Sequence, residues 1–125
     1  MKQLLFLFFL IELIACNNLQ NNNYLNRNPS KIRYSRHARC RMECRHINEY
    51  EIKNILENGT INFRKSDLNK DACHQRYAVE GYAQNEHLRV VFAGCNNIVT
   101  VITCIDLDRE WSCNCPGDED YTDYR

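Results

Sequence analysis

The sequence predicts an α+β domain: two N-terminal helices packed on a three- to four-stranded antiparallel sheet, rich in disulfides. Three observations predict it. Between Ser35 and Asn58, capping and apolar residues recur at helical spacing. From Thr60 onward the apolar period shifts towards two. Seven cysteines (Cys40, Cys44, Cys73, Cys95, Cys104, Cys113 and Cys115) fall within one short stretch of chain.

Ser35 is placed to cap a first helix, roughly Arg36 to Arg45. At 100° per residue, Arg36, Arg39 and Glu43 share one face. The remaining arc carries the cysteine pair Cys40 and Cys44, then His37, Arg41 and Arg45, then Ala38 and Met42. His37, Arg41 and Arg45 thus form one i, i+4 row between a cysteine edge and an apolar edge. Asn48 and Glu51 make a capping-box pattern for a second helix, with Ile52, Ile55 and Leu56 as its buried stripe. Asn58-Gly59 predicts its end. Ile61 and Phe63 suggest a short strand, and residues 66–71 a polar loop. Tyr77, Val79 and Gly81 alternate with Arg76, Ala78 and Glu80 as a half-buried strand. Gln84-Asn85-Glu86 reads as a hairpin turn. Two β-branched runs, 88–93 and 98–105, are joined tightly through Gly94 to Asn97.

In front of the domain, Lys2 precedes an apolar run from Leu4 to Ile11, too short to span a bilayer. Its length suits the core of a secretion signal. Leu13-Ile14-Ala15-Cys16 then reads as a lipobox, with the Cys16 thiol as the lipid acceptor. The expected organisation is a lipoprotein signal peptide (1–15), a flexible tether from lipidated Cys16 (16–30) and one α+β domain with an acidic tail (31–125). The tether expectation rests on seven asparagines between Asn17 and Ser30 and few apolar groups. The implied location is the cell envelope, with a membrane held through the lipid.

An exported domain sits where disulfides persist. Seven cysteines allow at most three bridges within the chain and leave one thiol. Spacing does not determine connectivity, although Cys40 and Cys44 are plausible partners for the turn-rich tail around Cys113 and Cys115. The chain has 16 basic and 16 acidic residues, yet they are segregated. Lys31 to His46 holds six basic residues against Glu43, and Asp106 to Arg125 holds seven acidic residues against Arg109 and Arg125. Either the acidic tail covers the basic helix, which is the preferred expectation, or the helix presents an anion-binding face.

Ser35-x-His37-Ala38-x-x-Arg41-Met42-x-x-Arg45, the second helix ending in Asn58-Gly59, the Tyr77-x-Val79-Glu80-Gly81 strand and the Val-Ile-Thr103 strand resemble an uncharacterised bacterial family, the domain of unknown function 4258. The resemblance covers about Tyr34 to Ile105. It implies the helix-plus-sheet fold of RelE-type toxins and related metal-independent ribonucleases. Members of that family commonly carry few cysteines, and Gly where this chain has His46.

Two functions follow as expectations. The leading one is a non-catalytic binding or interaction module with a protein partner on the envelope. The other is a metal-independent ribonuclease. In it His37 is acid or base, Arg41 and Arg45 grip phosphate, and Glu80 and Thr103 contribute from the sheet, with lesser candidates His87 and Arg89. RNA is a partner only there. A zinc site of His37, Cys40 and Cys44 with Cys113 and Cys115 has none of the standard spacings, so no metal or other cofactor is expected. The sequence has no phosphate-cradling glycine loop, no nucleophile elbow and no Cys-x-x-Cys motif.

Overall fold

A computed structural model describes residues 25–124. The expected signal peptide, Cys16 and the first part of the expected tether lie outside the described residues. Seven regular elements follow one another: β1 (Lys31–Tyr34), α1 (Arg36–Arg45), α2 (Glu49–Asn58), β2 (Thr60–Ile61), β3 (Tyr77–Ala83), β4 (Glu86–Cys95) and β5 (Ile98–Asp106). Short 3-10 stretches lie at Ala72–His74 and Asp118–Tyr124.

The class is the expected α+β with two helices, but the sheet differs. It has five strands in the order β1-β5-β4-β3-β2, and it is mixed rather than antiparallel. The added strand is β1, which pairs parallel with β5 from Lys31 opposite Ile98 to Tyr34 opposite Val101. Four residues are too few for a period to declare itself, and their partner lies far along the chain. The polar residues just before β1 set its register. Ser30 donates to the Asn97 carbonyl from its amide (3.0 Å) and its hydroxyl (2.9 Å), and Asn26 bonds the Asn97 side chain (2.8 Å). Packing begins earlier still, because Leu25 is buried in the core.

The helices form where their caps place them. Ser35 accepts from the Ala38 amide at 3.0 Å. At the far end of α1, His46 takes the left-handed conformation (φ 56°), and the Ile47 amide reaches back to the Met42 carbonyl at 2.9 Å. In α2 the capping box is complete: Glu51 N donates to Asn48 Oδ1 (2.9 Å) and Asn48 N to Glu51 Oε2 (2.8 Å). Gly59 does end α2, and it does so without a left-handed backbone. Its φ is −72°, within reach of any residue. Space is what demands glycine, since a Cβ there would stand 2.6 Å from the Ile55 carbonyl and from Val79 Cγ1. Arg27 caps the same helix end, donating to the carbonyls of Leu56 (2.9 Å) and Gly59 (2.8 Å).

One face of the sheet meets the helices. Ala38, Met42, Ile52, Ile55 and Leu56 pack there against Val79, Leu88, Val90, Phe92, Val99 and Val101. A smaller second cluster joins Ala78, Val91 and Ile105 to Tyr124 of the tail. The β3–β4 hairpin turns through Gln84 (φ 50°) and Asn85 (φ 67°), the backbone that a two-residue primed turn needs. The expected short strand shrinks to Thr60–Ile61, and Phe63 is exposed. Among the described residues there are three disulfides: Cys40–Cys115, Cys44–Cys113 and Cys73–Cys95.

Gly59→Ala is expected to lower the unfolding free energy by about 1–3 kcal/mol, the usual cost of overpacking. Chemical denaturation of both proteins measures it, and an unchanged midpoint would refute the close-approach argument.

Candidate functional site

The site begins with an irregularity in β5. Val91 pairs with Thr103 and the next residue, Phe92, pairs with Val101, so Ile102 is an extra residue in the ladder. Beyond this bulge the buried Thr103 and Ile105 look towards the second cluster, away from the helical core. Helix α1 packs on β5 and offers this side its His37–Arg41–Arg45 row.

His37 is 6% exposed and engaged at both ring nitrogens. Nδ1 lies 3.0 Å from the Pro116 carbonyl, which only accepts, so Nδ1 carries a hydrogen. Nε2 lies 2.9 Å from Thr103 Oγ1 and, when unprotonated, accepts from that hydroxyl. The Tyr121 ring stacks on the imidazole at 4.0 Å. Arg41 makes an ion pair with Asp118, whose Oδ1 is also 3.7 Å from His37 Nδ1. Asp118 Oδ2 accepts from the Cys115 amide at 3.0 Å. Arg45 is buried and donates from Nη1 to the Cys104 carbonyl.

The tail therefore roofs the row. Two disulfides from α1, at Cys40 and Cys44, hold it there, and the basic helix and acidic tail meet as the charge segregation predicts. Both cysteines, weighed with His37 as metal ligands, are consumed in these bonds. A cavity of about 290 Å³ remains beneath the roof, lined by the row, Thr103, Ile105, Trp111, Asp118 and Tyr121. Trp111 is fixed by a bond from its indole N–H to Asp106 Oδ2 at 3.0 Å. A larger cavity, about 400 Å³, lies between α2 and β1, but it collects none of the row.

Of the residues expected from sequence, His37, Arg41, Arg45 and Thr103 come together. Glu80 does not line the cavity. It accepts from Arg89 Nε (2.7 Å) and Asn62 (2.9 Å), and Arg89 continues to the Tyr124 carbonyl (2.6 Å). His87 stacks on Tyr82 instead, at 4.4 Å. Asp118, Tyr121 and Trp111 lie in the tail, outside the catalytic set expected from sequence. Their only prior signal is the acidic excess of the tail beside two cysteines.

Burial would raise the Asp118 pKa. The Cys115 amide and Arg41 outweigh it and hold the carboxyl below its ordinary value. Glu80 behaves likewise: burial opposes, and bonds from Asn62 and Arg89 prevail. Burial pushes the Cys104 thiol up to about 12.

Three outcomes follow. Thr103→Val should destabilise the fold by about 1–3 kcal/mol by leaving buried His37 Nε2 unpaired, while Thr103→Ser retains most of the stability; denaturant midpoints decide. Asp118 and Glu80 bind protons less tightly folded than unfolded. Their stabilisation is complete above the ordinary carboxylate range and is lost as pH falls through the lowered values. Unfolding free energy should thus decline on acidification below about pH 4, with a shallower slope for Asp118→Asn. In a chain carrying Cys16→Ser, Cys104 should react with a thiol reagent only after denaturation, and rapid labelling of the native chain would contradict its burial.

No curated protein and no solved structure matches this chain. Residues 34–106, more than half of it, match the model of a family described as a domain of unknown function, DUF4258. The match runs from the end of β1 to the end of β5. It includes the α1 row and Thr103 and stops short of the tail that covers them. The chain belongs to the DUF4258 family.

Proposed function

We propose that this protein is an exported, lipid-anchored lipoprotein whose domain serves as a non-catalytic binding module at the cell envelope. One observation carries the reading: the groups a catalyst would need free already have partners. His37 has both ring nitrogens engaged, and Arg41 is paired with Asp118. Two disulfides fasten the tail that supplies those partners. Export is supported by the lipobox at Cys16 and by three disulfides, which persist in oxidising compartments. The family resemblance implies a fold shared with RelE-type proteins.

A second reading rests on the gathering of His37, Arg41, Arg45 and Thr103 around one cavity. Under it the domain is a metal-independent ribonuclease. His37 would move the proton of the attacking 2′-hydroxyl, and the arginines would meet the charge on phosphorus. That chemistry requires Asp118 and the Pro116 carbonyl to leave first.

The test uses the chain from residue 16 onward with Cys16→Ser, oxidised, incubated with RNA without metal at stoichiometric amounts. The binding reading expects intact RNA. Cleavage that disappears in His37→Ala would replace it with the nuclease. Separately, the intact chain should fractionate with membranes and Cys16→Ser with the soluble protein; equal partition would remove the lipid anchor.

A further inference from the structure

We propose that the cavity beside α1 is a binding site for a phosphate group, and that Asp118 of the chain's own tail occupies the anion position within it. The proposal takes from the binding reading only that this cavity is a recognition surface.

The donors around Asp118 are those a bound oxyanion would use. Its Oδ1 meets the Arg41 guanidinium and faces His37 Nδ1 at 3.7 Å, and its Oδ2 takes the Cys115 amide at 3.0 Å. A guanidinium fork with a backbone N–H is the usual grip on phosphate oxygens. Asp118 is also the only carboxylate lining the cavity among the described residues, whereas Arg41, Arg45 and His37 all line it. Without Asp118 the Arg41 guanidinium keeps its charge in a partly closed space, where a nearby anion gains most. A tetrahedral oxyanion offers the Arg41 guanidinium, the Cys115 amide and His37 Nδ1 more acceptor oxygens than a lone carboxylate does. The open volume, about 290 Å³, lies beside the carboxylate, so a tetrahedral group has room once the carboxylate withdraws. Gly117, at φ 83°, joins Asp118 to the stapled Cys115-Pro116 segment and gives the tail a bend that other residues rarely adopt. The low pKa of Asp118 keeps it ionised, as an internal substitute for an anion must be.

The experiment titrates inorganic phosphate into the oxidised chain from residue 16 onward with Cys16→Ser, with and without Asp118→Asn, by calorimetry at low ionic strength. Asparagine keeps an oxygen for the Cys115 amide and removes the charge. Three intact disulfides report correct folding of each variant, and Asp118→Ser takes its place if the asparagine form does not fold. Asp118→Asn should bind phosphate at least tenfold more tightly than the parent. Adding Arg41→Gln should abolish the gain, and acetate at equal concentration should not reproduce it. No gain, a gain that survives Arg41→Gln, or equal binding of acetate would each overturn the proposal. None of those results alters the RNA test, so failure here and failure of the binding reading are told apart.

Discussion

Ser35 stands where β1 ends, α1 begins and β5 bulges, and three of its bonds serve all three. Its amide donates to the Val101 carbonyl at 3.0 Å, completing the parallel pairing. Its hydroxyl accepts from the Ala38 amide at 3.0 Å and donates to the Ile102 carbonyl at 2.9 Å. An isolated N-cap satisfies one orphan amide of a helix. This one also ties the helix start to the extra residue of the strand, so it sets where His37 falls relative to Thr103. Both reach the same cavity because the bulge turns Thr103 and the cap places His37, two residues on. Move either and the imidazole loses its hydroxyl partner.

What the sheet and α1 build, the tail completes, and it could not stay there by packing alone. Its apolar contribution is little more than Trp111, Tyr121 and Tyr124. The bonds Cys40–Cys115 and Cys44–Cys113 close loops with sequence separations of 75 and 69. A loop of that size stabilises by about 4 kcal/mol in the chain-entropy account. The second bond adds less, because the first has already brought the ends together. Its larger effect is on orientation: two anchors two residues apart stop the tail from pivoting. That restraint delivers the Pro116 carbonyl and Asp118 carboxylate to His37 and Arg41.

Local features were legible in the sequence. The Ser35 cap on Ala38, the Asn48–Glu51 box and the Gln84-Asn85 turn each act within four residues, and each appears where local chemistry places it. The i, i+4 row was also readable, since helical periodicity alone puts His37, Arg41 and Arg45 together. Features that depend on a distant partner were hidden. β1 becomes a strand only because β5 is beside it. Gly59 is required by Val79 and Glu80, which approach from another element. Thr103 acquires its direction from a bulge that no residue type announces. His46 sits between these cases. Its positive φ is a backbone that glycine adopts most readily, yet a histidine edge-on to Trp111 at 5.4 Å fills it here.

The zero net charge of the chain conceals the arrangement that matters most. A buried or half-buried ion pair contributes little net stability, because desolvation offsets much of the attraction. If α1 served only to seat a tail, apolar side chains on its row would do so at lower cost. Instead the row carries an imidazole and two guanidinium groups, and the tail answers with a carbonyl and a carboxylate. Such pairing makes sense when the row has an affinity for anions of its own and the tail satisfies it. Basic helix and acidic tail are then two halves of one recognition event, joined in a single chain and secured by disulfides.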